Sequence, residues 1–200
     1  ISGAEQNGLV VYTKHFGAHT HEDTSVQLCA WMTEQAYRET DLRAFELGIK
    51  TARRTLKYIS DVNGTVSTKT VRGSSGIMGC ATLLGTEWQG ASYGLITEIL
   101  RGEWGFQGVA TTDMALYNFK GVSDKIMRSG TDLRMYFMPS KASDTTSATA
   151  LHRFRDAVKH ICFAYANSNL TQGAAPGAII TYTMSPWKIG LIIADVLVGL

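Results

Sequence analysis

Four short apolar runs, each bounded by glycine or polar residues, recur along the chain at residues 9–16, 76–81, 108–113 and 131–138. None alternates cleanly between apolar and polar positions, which is the pattern of strands covered on both faces. Between these runs the apolar positions fall at helical spacing. Residues 34–53 predict the best helix, with Ala36, Leu42, Phe45 and Ile49 along one side. A second helix is predicted over 92–101, where Leu95, Ile99 and Leu100 are apolar. A loop and short helix are expected over 116–129. A long helix follows over 147–166, with Leu151, Phe154, Val158, Ile161 and Cys162 on one face. Strands alternating with helices predict an α/β fold built on a parallel sheet.

Residues 57–71 depart from that alternation. Two β-prone runs flank Asp61-Val62-Asn63-Gly64, and an Asn-Gly pair between such runs is a strong hairpin signal. The hairpin reads as an excursion inserted between a helix and the next strand. Beyond Ser168 the pattern changes again. Residues 169–186 read as a linker, and residues 187–200 as the start of an apolar helix. Trp187 and Lys188 in front of it suit a membrane–water boundary. A span needs about 20 apolar residues, whereas this run is shorter and carries Asp195. Two readings follow: the start of a transmembrane helix, making the protein membrane-anchored, or an amphipathic helix docked on a cytoplasmic domain.

Composition narrows the classes. A chain of 200 residues suits one domain plus a tail and can bury a sizeable core. The 19 Lys and Arg are scattered among 17 Asp and Glu, for a net charge of +2. No basic run of the kind a phosphate-binding surface needs is present, so nucleic acid is not an expected partner. Cys29, Cys80 and Cys162 form no Cys-x-x-Cys pair, which argues against a disulfide framework or a structural zinc site. They are expected as small buried apolar side chains. The chain opens on Ile1-Ser2-Gly3 without Met, so it is expected to be cut from something longer.

Candidate chemistry sits at the strand ends. Lys14 and His15 close the first predicted strand and Asp113 closes the third. In a parallel α/β barrel, functional side chains collect where strands end. A cation, an imidazole and a carboxylate can therefore line one pocket although they lie about 100 residues apart. Such a trio fits sugar chemistry: the carboxylate attacks an anomeric carbon, and Lys and His donate to hydroxyls. Taken singly, each residue has a plainer reading. An Asp after a strand commonly caps a helix, and a single His is commonly structural.

Three segments together resemble family 3 glycoside hydrolases, the β-glucosidase-like enzymes. They are Lys14-His15-Phe16, the stretch from Glu34-Gln35-Ala36-x-Arg38-Glu39 to Leu42, Phe45 and Glu46, and Leu100-Arg101-x-Glu103-Trp104-Gly105-Phe106-x-Gly108 leading to Asp113. Gly130-x-Asp132-Leu133 continues the ladder, so the resemblance covers about residues 5–168. It implies that Asp113 is the catalytic nucleophile of a retaining glycosidase and that Lys14 and His15 bind substrate.

A complete (β/α)8 barrel takes about 250 residues, and the resemblance begins near the fourth strand of eight. The expected unit is thus a partial TIM-type barrel, its C-terminal half over residues 1–168. The absent first strands supply an Asp and an Arg to the glucose hydroxyls in that family. Open strand edges predict poor stability in isolation. In β-glucosidase relatives the acid/base Glu lies in a separate domain, here expected upstream. The implied substrate is a β-glucoside or oligosaccharide, and no metal or cofactor is expected. A non-catalytic, membrane-tethered carbohydrate-binding or scaffold remnant is the alternative.

Two places depart from the family pattern. After Phe16 the usual Ala-x-Asn-Asp-Gln-Glu is replaced by Gly17-Ala18-His19-Thr20-His21-Glu22, and the usual Met-Ser-Ser-Phe/Tyr-Asn by Met78-Gly79-Cys80-Ala81-Thr82. His19 and His21 then have three readings. They are solvated loop residues, an acid/base like the loop His of N-acetylglucosamine-cleaving members, or metal ligands with Glu22. The last lacks a clear third ligand.

Overall fold

The computed structural model describes residues 1–19, 21–23, 26, 28–114, 121–135, 141–168 and 183–199. In chain order these form α1 (Ser2–Gln6), β1 (Tyr12–Phe16), β2 (Cys29–Ala30), α2 (Glu34–Glu39), α3 (Arg43–Thr51), β3 (Arg53–Ile59), β4 (Val66–Arg72) and β5 (Gly76–Gly79). Then come β6 (Leu83–Leu84), β7 (Glu87–Trp88), a 3₁₀ turn (Gln89–Ala91), a π-helix (Gly94–Glu103), β8 (Val109–Thr111), α4 (Val122–Ser129), α5 (Ala148–Ala166) and α6 (Pro186–Gly199).

Three of the expected strands form one parallel sheet in the order β1-β5-β8. The fourth, expected over 131–138, is reduced to a parallel bridge from Thr111 to Leu133, and residues 136–138 lie outside the described residues. Helical segments separate consecutive strands, as a parallel sheet requires. β5 and β8 are buried along most of their length, whereas Tyr12 and Lys14 of β1 are exposed. Phe16, Ile77 and Ala110 are fully buried in one core with Tyr37, Leu42 and Ile49 and with Leu95, Ile96 and Leu100 of the π-helix. The Phe16 ring meets Phe45 at 5.3 Å and Trp104 at 5.8 Å between centroids, both edge to face. Such pairs add about 0.5–1.5 kcal/mol each beyond area burial.

The helix expected over 34–53 is two helices. Thr33 caps α2 by accepting from Ala36 N at 3.2 Å, and Thr40 ends it, its hydroxyl donating to Ala36 O at 2.6 Å. That hydroxyl competes with the next helical bond, and the break lets Tyr37 and Leu42 both enter the core. Residue Arg53 belongs to β3, not to the helix. The helix expected over 92–101 forms as a π-helix shifted to Gly94–Glu103. The hairpin is present and longer than expected, with β3 and β4 antiparallel from Arg53↔Arg72 to Ile59↔Val66. At its turn Gly64 takes φ +83°, and Asp61 Oδ1 accepts from Asn63 N and Thr65 N.

Other expectations are corrected. Cys80 is buried, but Cys29 and Cys162 are exposed. The stripe on α5 faces outward, with Leu151, Val158 and Ile161 exposed; Ala150 and Ala164 are its buried residues. The linker expected over 169–186 lies largely outside the described residues. Pro186–Gly199 forms a helix of 14 residues without a buried residue. No helix among the described residues is long and apolar enough to cross a membrane. The transmembrane reading and the membrane anchoring it implied therefore have no support.

Candidate active site

Parallel pairing puts the C-terminal ends of β1, β5 and β8 at one edge of the sheet. Two strand spacings, about 9.5 Å, separate β1 from β8, and side chains close that gap. His15 Nε2 lies 3.7 Å from Asp113 Oδ2, with 16% and 20% of the two side chains exposed. Asp113 Oδ1 accepts from Met114 N at 2.7 Å, so one oxygen is committed to the backbone and the other faces the imidazole. Lys14 is exposed beside His15, and among the described residues its ammonium makes no hydrogen bond or ion pair. The structure thus brings His15 and Asp113 of the predicted trio together, while Lys14 precedes His15 on β1 with an exposed side chain; the β1–β5 register is irregular between Thr13 and Phe16.

The end of β5, between the two, carries little polar surface. Cys80 is fully buried, its amide donating to Phe16 O and its carbonyl accepting from Trp88 Nε1 at 2.9 Å. Burial pushes its thiol up to about 12, so it is no nucleophile at neutral pH. Gln89 carries no motif in the sequence, yet it holds the loop after β1. Its fully buried amide accepts from Ala18 N at 2.9 Å and Tyr37 Oη at 2.5 Å, and donates to Thr82 O at 3.1 Å. Gly17, at φ +121°, leaves room for that amide: a Cβ there would stand 2.3 Å from Gln89 Oε1. A polar residue in a loop gives no sequence signal of such a role.

The Arg-x-Glu-Trp-Gly-Phe-x-Gly segment is scaffold for Asp113. Arg101 donates to Gly108 O, Gly130 O and Asp132 Oδ2, and that same Asp132 oxygen accepts from Ala110 N inside β8. Trp104 and Phe106 fill the core. Gly108 lets the chain pass Ser75, whose carbonyl oxygen would lie 2.2 Å from a Cβ. Glu103 pairs bidentately with Arg38, which also reaches Glu34. Glu103 therefore ties the π-helix to α2 and Arg101 ties it to Gly108, Gly130 and Asp132, so the motif's charges serve the scaffold.

The altered loop returns to it. The His15 and His19 rings lie 4.4 Å apart between centroids, and His19 Nε2 lies 2.6 Å from Glu22 Oε2. His21 is exposed and stands outside this group. Burial, first, pushes the His15 pKa below its ordinary value; Asp113 and Glu22 oppose that shift, and Lys14 and His19 add to it. Removing the Asp113 charge removes the larger of the two opposing influences. In Asp113→Asn the His15 pKa should therefore fall further, as read by the NMR titration of its ring protons. A rise would separate the two side chains.

No family model matches the chain. Curated relatives do. A probable β-glucosidase J from Neosartorya fischeri is 30% identical over 136 residues, 67% of this chain and 13% of that protein. β-Glucosidase A of Butyrivibrio fibrisolvens is 29% identical over 138 residues, 68% of this chain and 14% of that protein. The crystal structure of a GH3 β-glucosidase from Bifidobacterium adolescentis superposes with a TM-score of 0.65 at 18% identity, covering 89% of this chain and 24% of that one. The chain is similar to the family 3 β-glucosidases. Its mixed α/β fold is that of their domains. It spans only about 13% of the length of the curated relatives it matches.

Proposed function

We propose that residues 1–168 are the C-terminal half of the (β/α)8 catalytic barrel of a retaining, β-glucosidase-like glycoside hydrolase. The observation that carries this reading is the convergence of Asp113 and His15, 3.7 Å apart, at the shared end of parallel strands. In this reading Asp113 Oδ2 attacks the anomeric carbon, and Lys14 and His15 donate to glycone hydroxyls. A second group, placed about 5–5.5 Å from the nucleophile in retaining enzymes, protonates the leaving oxygen. That acid/base and the first barrel strands belong to chain beyond these 200 residues, and the substrate is a β-glucoside or a related oligosaccharide.

Hydrogen bonds to charged donors contribute about 1.5–3 kcal/mol. Lys14→Ala, made in the longer protein, should lower kcat/KM for an aryl β-glucoside by roughly 10- to 150-fold, and His15→Ala, which removes a neutral donor worth about 0.5–1.5 kcal/mol, by roughly 2- to 13-fold. Unchanged values in both variants would move the glycone elsewhere. A non-catalytic carbohydrate-binding remnant is the competing reading, favoured by the buried Cys80 and small residues at the end of β5. It requires binding of a β-glucoside by the longer protein without turnover.

A further inference from the structure

We infer that His15, His19 and Glu22 form a binding site for a zinc-class transition-metal cation at the mouth of the candidate active site. One ring nitrogen from each histidine and one carboxylate oxygen lie within 4.8 Å of one another. In sequence His19 and His21 stand together as candidate ligands with Glu22; in the structure His15, near the end of β1 and four residues before His19, takes the place of His21. The site stands on this geometry; it shares His15 with the proposed glycone contacts, so a bound cation and a glycone would compete for that ring.

The donor set decides the cation. Two imidazoles and one carboxylate suit zinc, cobalt or nickel, whereas magnesium and calcium take oxygen ligands. Metal–ligand bonds of about 2.0–2.2 Å in tetrahedral geometry put neighbouring donor atoms about 3.3 Å apart. His19 Nε2 and Glu22 Oε2, now at 2.6 Å, need to open by less than 1 Å. The other separations need to close by about 1.5 Å at most. Glu22 has 80% of its side chain exposed, so its rotamer is free to make that adjustment. His19 Nδ1 is buried without a hydrogen-bond partner among the described residues, leaving one nitrogen of that ring uncommitted. Three protein ligands leave a fourth position for water or substrate, as in catalytic rather than structural zinc sites. With His15 ligating through Nδ1, its Nε2, 3.7 Å from Asp113 Oδ2, would face the carboxylate that orients the ring. His21 takes no part.

The test is a Co²⁺ titration after chelator treatment, followed by Zn²⁺ displacement. It uses whichever form, residues 1–200 or the longer protein, melts cooperatively. The expected result is one equivalent of Co²⁺ with the visible absorption of low-coordinate cobalt, displaced by Zn²⁺ and not by Mg²⁺. His19→Ala and Glu22→Gln should each weaken binding by more than the roughly 10–100-fold that loss of an outer-shell partner costs. His21→Ala should leave it unchanged, and each variant's melt checks that it is folded. Cys29 and Cys162 are exposed thiols and the obvious rival ligands. Binding that survives His19→Ala but is lost in Cys29→Ser/Cys162→Ser would overturn the site, as would no binding at all. Loss of glycosidase activity has no bearing on either outcome.

Discussion

Asp113→Ala in the longer protein should reduce kcat for an aryl β-glucoside by at least about 10³-fold, the scale on which loss of a nucleophile acts. Arg101 and Asp132 fix β8 from its own backbone, Gly108 lets the strand pass Ser75, and the strand then delivers Asp113 against His15. A 2-deoxy-2-fluoro glucoside should label Asp113 covalently, identified by peptide mass. Residues 1–200 alone should give no turnover, because general acid assistance is typically worth 10²–10⁴-fold. Misplacement of a reacting group by about 1 Å can cost a further 10²-fold. Wild-type rates in the Ala variant would dismiss Asp113 as nucleophile. Asp113-dependent turnover by residues 1–200 would instead place an acid/base within them, and Glu22 would be the first carboxylate to replace.

The second large effect concerns stability. Arg54 and Glu5 are both fully buried, with Arg54 Nη1 3.2 Å from Glu5 Oε2. Glu5 Oε1 also accepts from Ser75 N at 2.5 Å. This pair joins α1, the hairpin strand β3 and the start of β5. Removing one partner strands the other charge in the interior, which costs about 3–5 kcal/mol. Arg54→Met should therefore destabilise by that amount in urea melts. Glu5→Gln/Arg54→Met should recover part of it, since Gln keeps an acceptor for Ser75 without the charge. A single variant within about 1 kcal/mol of wild type would mean that water reaches the pair.

Much of this was legible before the structure. The runs 9–16, 76–81 and 108–113 each contain one strand of the sheet; unalternating apolar sequence marked the burial of β5 and β8, whereas Tyr12 and Lys14 of β1 are exposed. Asn63-Gly64 announced the hairpin because the turn needs a residue at positive φ. Periodicity records which positions share a face, not what that face meets. For that reason the stripe of Leu151, Val158 and Ile161 was visible while its exposure was not. The break at Thr40 was hidden because Leu42, Phe45 and Ile49 keep helical spacing across it. The contact of His15 with His19 follows no spacing rule: it arises where the chain turns at Gly17. Gln89 was silent for the same reason, since its partners Ala18 and Tyr37 lie 71 and 52 residues away.

The hairpin has a further meaning for how this chain can vary. Arg54 and Leu56, near its base, are buried, whereas Tyr58, Ile59, Val62 and Val66 towards its tip are exposed. Its strands pair with each other and not with the parallel sheet. The outer half therefore acts as a free arm whose length is decoupled from the spacing of β1, β5 and β8. Exposed loop tips of this kind tolerate insertion best. A fluorophore, an epitope or an entire small domain spliced between Asn63 and Gly64 would ride outside the molecule. The arm is thus a handle for reporting on the chain without touching the edge where Asp113 and His15 meet.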